Sequence, residues 1–252
     1  MVDLGGLLAG GLRLVNQVLA ATVVLTSFSL LIYLFTHNFR SRVARAFCAL
    51  LAFVMIVYAG DVVLYAVETP EAAARWLKFQ WVGIAFVPAA YLQFSAALLH
   101  SINLRARWRS IAVVVSYAAS TVFLGMVILS ELLVYDGVFL PEASHLAAGP
   151  LFWIFGLYYF VTIAWGAANL YRARRRCLTR ASRRRMTYLS LAFVAPALGV
   201  FPYLMLTSVP SLLTLNWLQL VLLAGNVAVL LMIVLMAYSV AYFGALTPDR
   251  VV

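Results

Sequence analysis

Seven stretches of this chain are apolar for longer than a soluble fold can bury, and that limits the fold before any motif is considered. They cover residues 10–36, 43–66, 73–100, 108–130, 150–172, 184–207 and 211–241. A helix needs about 20 predominantly apolar residues to cross a bilayer, so each stretch is a transmembrane candidate. Composition agrees. The chain is 65% hydrophobic and only 10% charged, whereas a soluble domain is about a quarter charged. A membrane barrel would instead need short segments of alternating hydrophobicity. The expected fold is all-α, a seven-transmembrane helix bundle. Residues 1–252 form a single domain with no soluble part, and short links make neighbouring helices antiparallel.

Arginine placement sets an expected orientation. Arg40, Arg42 and Arg45 lie in the first link, and Arg105, Arg107 and Arg109 in the third. The fifth link, "YRARRRCLTRASRRRM", carries Arg172, Arg174, Arg175, Arg176, Arg180, Arg183, Arg184 and Arg185. The opposite side has Arg13, Arg75 and Lys78. The positive-inside rule then puts the N-terminus outside and the C-terminus in the cytoplasm. Asp3, Glu68, Glu71, Glu131, Asp136 and Glu142 fall on the outer side. This asymmetry accounts for the net charge of +10 without nucleic acid. The fifth link is instead a candidate contact for anionic lipid headgroups. The N-terminal "MVDLGGLLAGGLRLVNQ" has no basic region before its apolar run, so the first helix is expected to be retained. Cys48 and Cys177 have the spacing of neither a metal site nor a disulfide framework.

Against this apolar background, "YAGDVVLY" at 58–65 places Asp61 inside the second segment. Ionisable groups within a membrane are costly and by default mark function. At 1.5 Å per residue, Asp61, Asn16, Gln17, Gln80, Asn216 and Gln219 all fall roughly 7–12 Å below the outer surface. Four helices thus contribute to one polar layer. Tyr58, Asp61 and Tyr65 share a helix face, and either phenol is placed to donate a hydrogen bond to the carboxylate. Asn216, Gln219 and Asn226 share another face. Trp81, Trp153, Tyr158 and Trp217 lie at similar depth. Such a layer has the composition of a small-ligand site, an aromatic cavity with a few polar groups. The competing reading is that Asn and Gln join helices and that Trp and Tyr form the interfacial belt. Without a cation among Arg13, Arg75 and Lys78, Asp61 is either pH-sensitive or a counter-ion for a cationic ligand.

Pro88, Pro196 and Pro202 lie inside expected spans, the last two flanking Gly199. Each proline removes a helix hydrogen bond, so these four residues are candidate hinges and the sixth helix the most mobile element. No catalytic constellation is present, and His37, His100 and His145 are scattered. The single lysine, Lys78, excludes a retinal Schiff base on the seventh helix. No enzyme activity, cofactor or metal is expected.

One further pattern carries a resemblance. The third segment reads "WLKFQWVGIAFVPAAYLQFSAALL", with Trp76, Phe79, Gly83, Pro88 and Phe94 at set spacings. The chain ends "MAYSVAYFGALTPDRVV". These features resemble the N-terminal seven-transmembrane sensor region of prokaryotic histidine kinases. The second segment departs from that pattern, with Tyr58 and Asp61 where members often carry Trp. The resemblance implies a membrane sensor in a prokaryotic cytoplasmic membrane, working as a homodimer and signalling through helix 7 to a cytoplasmic domain in cis or in trans. Such a domain would follow in a longer chain or belong to a partner of a stand-alone relative. Two rivals stay open, a structural subunit of a larger membrane complex and a small transporter.

Overall fold

The structure, a computed structural model, describes residues 4–101, 107–138, 144–177, 179–192 and 215–241. Its helices are α1 (Leu4–Asn38), α2 (Arg42–Leu64), α3 (Pro70–Ser101), α4 (Arg107–Leu129), α5 (Phe152–Arg176), α6 (Arg180–Ala192) and α7 (Leu215–Ala241). The architecture is the expected all-α seven-helix bundle. Six of these helices are long and apolar enough to cross a membrane. α6 covers the arginine-bearing first part of the sixth expected span. The rest of that expected span lies outside the described residues, and so do Pro196, Gly199 and Pro202.

Local chemistry explains several helix ends. Pro70 opens α3, where its missing N–H and fixed φ cost nothing. Arg174, Arg175 and Arg176 fill the last turn of α5, where cations complement the helix dipole. Arg42 Nη1 lies 3.0 Å from His100 Nε2, tying the start of α2 to the end of α3 at the arginine-rich end of the bundle.

The helices close into a ring. α1 packs on α2, α2 on α3, α3 on α5, α5 on α6, α6 on α7 and α7 back on α1, while α4 leans on α3 from outside. α3 is the buried element: 72% of its apolar stretch is buried, against 17% for α4 and 22% for α1. Lipid tails are as apolar as leucine, so helices associate by close packing rather than by hydrophobic exclusion. The small residues Gly83, Ala85, Ala89, Ala90 and Ser95 of α3 are all buried and permit that approach. A Cβ at Gly83 would run into the carbonyl oxygen of Phe53 and the Val57 side chain. Pro88 is buried within α3 and removes the N–H that would bond the Ile84 carbonyl. One residue on, Ser120 Oγ of α4 donates to the Ala85 carbonyl at 2.6 Å, which ties α4 to this part of α3.

The link between α4 and α5 holds a feature that the apolar pattern does not reveal. β1 (Val134–Val138) pairs antiparallel with β2 (His145–Ala148). Val134 lies opposite Ala148 and Val138 opposite His145, with a bulge at Asp136. At its base the Gly149 and Leu151 amides donate to the Leu133 and Leu132 carbonyls at 2.9 and 3.0 Å. A Cβ at Gly149 would strike the Leu132 backbone. These strands are only five and four residues long, too short to show against their apolar neighbours.

Gly83→Ala is expected to destabilise the bundle by about 1–3 kcal/mol, the usual cost of overpacking. Gly125→Ala, at a helical glycine with nothing within 4 Å of the new Cβ, is expected to be neutral or stabilising. Thermal melts of the two purified variants in one detergent check this contrast.

Candidate functional site

Asp61 lies one turn from the end of α2, half-buried. Its partner is Gln80 of α3, whose Nε2 donates to Asp61 Oδ1 at 2.6 Å and to the Val57 carbonyl at 3.1 Å. Gly60 makes this possible, because a Cβ there would occupy the space of the Gln80 side chain. Three residues on two helices thus form one unit: a glycine gap, the carboxamide that fills it, and the carboxylate it holds. Helix spacing alone predicts a phenol as the partner of Asp61, and the structure gives the role to Gln80. Among the described residues no ion pair reaches Asp61. The nearby cation, Arg13 of α1, sits over the ring of Tyr65, 5.9 Å from its centroid.

A second polar unit joins α1 to α7. Asn16 Nδ2 donates to Gln219 Oε1 at 2.8 Å and to the Gln219 carbonyl at 3.2 Å. Asn226 Nδ2 donates to Asn16 Oδ1 at 3.1 Å. All three amides are buried. Gln219 therefore belongs to a helix-joining clasp on another pair of helices from Asp61. The Asn216 side chain lies outside the described residues.

The aromatic candidates separate in the same way. Trp81 is buried in an aromatic cluster with Phe152 and Phe155 of α5, at 6.4 and 5.1 Å between ring centroids. Tyr158 is a pin between helices: its hydroxyl lies 2.8 Å from Ser116 Oγ and 2.9 Å from Ser120 Oγ, and donates to the Ser116 carbonyl at 3.0 Å. Trp153 is 55% exposed and points away from the bundle, so it does not line a cavity with the others. Tyr58 is buried one turn below Asp61 and faces two residues that helix spacing did not single out, Tyr91 and Tyr159. Tyr91 had a signal of its own. It lies deep in its span, where the interfacial belt does not account for a tyrosine.

At the arginine-rich end, Arg172, Arg174, Arg175, Arg176, Arg183 and Arg184 are all exposed. The side chain of Arg185 lies outside the described residues. Arg175 sits over the Tyr171 ring at 4.7 Å, and Arg184 Nε donates to Tyr188 Oη at 2.9 Å.

A family model described as the N-terminal 7TM region of histidine kinase matches residues 18–243. The chain belongs to this family. No curated protein matches its sequence. As a histidine-kinase 7TM region, the chain is a multi-pass membrane sensor module, and the resemblance read from α3 holds. The five residues that carried it divide by role. Gly83, Pro88 and Phe94 are buried, with Phe94 packed at 5.7 Å on Phe47 of α2. Trp76 and Phe79 meet edge to face at 5.4 Å near the acidic end, where Phe79 is exposed. The motif is thus chiefly a packing motif for α3.

Asn16→Leu is expected to lower stability by about 1–2 kcal/mol, the upper range for one interhelical polar contact in a membrane, because it removes the side chain that bonds both Gln219 and Asn226. Asn16→Leu combined with Gln219→Leu should cost less than the sum of the two single changes. Unfolding titrations in bicelles, arranged as a double-mutant cycle, measure this.

Proposed function

We propose that this chain is the sensing part of a histidine-kinase-type signalling protein. It detects a small ligand or a membrane state near the Asp61–Gln80 unit and signals through α7 to a cytoplasmic output. The observation that carries this reading is the membrane-embedded carboxylate held by an amide instead of a cation. An amide positions the carboxyl group without supplying a counter-charge, which leaves that role open to a cationic or hydrogen-bonding ligand. A second support is the clasp of Asn16 on Gln219 and Asn226, since a helix that transmits a signal needs a defined seating to leave.

The positive-inside rule places the arginine-rich end in the cytoplasm and Asp61 toward the outside. By its likeness to histidine-kinase sensor regions, the membrane is the cytoplasmic membrane of a prokaryote. The exposed arginines after α5 contact anionic lipid headgroups, and the working unit is a homodimer, as in histidine kinases. A ligand acts here only through its different affinity for two arrangements of the bundle.

A fusion of residues 1–252 to a histidine-kinase catalytic core tests this in proteoliposomes. Asp61→Asn is expected to change autophosphorylation by at least about fivefold, the lower end of usual coupling energies, with unchanged folding. Equal output from both proteins would remove Asp61 from the signalling path. Replacing Arg174, Arg175 and Arg176 by Gln is expected to reduce the phosphatidylglycerol retained by the protein in native mass spectra.

A further inference from the structure

Where α2, α3, α5 and α7 meet, the bundle holds a small cavity. Val54 and Tyr58 of α2, Tyr91 of α3, Tyr159 of α5, and Val229 and Met232 of α7 are in its wall. Its volume is ≈ 30 Å³, whereas one water needs about 10–15 Å³ on the same measure. There is room for water, but the wall presents no polar surface. The Tyr91 hydroxyl bonds Met232 Sδ, itself in the wall, and so joins α3 to α7 there. The surface the wall exposes is apolar, and apolar cavities favour apolar guests over water; at this volume the guest is no larger than a xenon atom or a methane-sized molecule.

The position matters as much as the lining. α7 packs mainly on α1 and α6, and only lightly on α2. The cavity lies on the seam between α7 and the wall formed by α2, α3 and α5. A guest there touches α7 on one side and the three tyrosines on the other. Each added atom contributes dispersion contacts that exist only while α7 is seated.

We propose that this cavity is a binding site for a small, uncharged, hydrocarbon-like molecule dissolved in the bilayer, and that its occupancy holds α7 against α2, α3 and α5. The site is separate from the Asp61–Gln80 unit, although Tyr58 borders both. Binding stands without the sensor reading, and only the effect on signalling output rests on it.

Xenon is the probe. The purified protein is equilibrated under xenon pressure in nanodiscs, and bound xenon is followed by its NMR shift. The wild type is expected to show a saturable site. Val229→Phe, which fills the space, should lose it, and Val54→Ala, which enlarges the space, should bind more tightly. Equal, non-saturating xenon uptake by all three proteins overturns the site. Should Val229→Phe not fold, the Val54→Ala comparison decides alone, and unchanged affinity overturns the proposal. Amide exchange across 226–236 of α7 is expected to slow under xenon. Saturable binding with unchanged exchange would overturn the hold on α7 and leave the site standing. An unresponsive kinase fusion would count against the sensor reading and leave xenon occupancy untouched.

Discussion

A polar group lowered into hydrocarbon must find its partner inside the protein, and most of this bundle's specific contacts follow from that one constraint. Gln80 answers Asp61, Gln219 and Asn226 answer Asn16, Ser116 and Ser120 answer Tyr158, and Ser120 also bonds the Ala85 carbonyl of α3. Each pairing joins two or more helices. Apolar packing brings the helices together with little preference for register. The polar pairs fix the register, because a helix that slid by one turn would strand them.

The same constraint explains why α3 is central. Its glycine and alanines let α2 come within backbone contact, and Gly60 on α2 returns the gap that Gln80 fills. Close approach and polar pairing are therefore one design. The amide can reach the carboxylate because two side chains are missing where the helices cross.

Much of this is legible in the sequence. Long apolar runs separated by arginines mark the crossings, and the resemblance in α3 marks the buried helix. Depth is legible too, since helix rise converts position into distance. Azimuth is not. Asp61, Gln80, Asn16 and Gln219 share a depth, and depth alone gathers them into one layer. The bundle distributes them between two seams, α2 with α3 and α1 with α7. Trp153 and Trp81 differ for the same reason, one turned outward and one inward at similar depth. In a water-soluble bundle a polar outer stripe would tell these faces apart. In lipid the outward residues are as apolar as the core, so the stripe vanishes. Pairing of the short strands is hidden because their few residues sit in a loop between two strong helical signals.

The closure of the ring by its first and last helices has a consequence in time. Asn16 and Gln219 are 203 positions apart, so at roughly 5–20 residues per second of synthesis the amide of α1 waits about 10–40 s for α7 to be made. During that interval the first helix sits in the membrane with its polar group exposed to lipid, translocon or a temporary neighbour. A nascent chain stalled before α7 is a five- or six-helix intermediate with an open seam, and the membrane's quality-control machinery has an unpaired asparagine by which to recognise it.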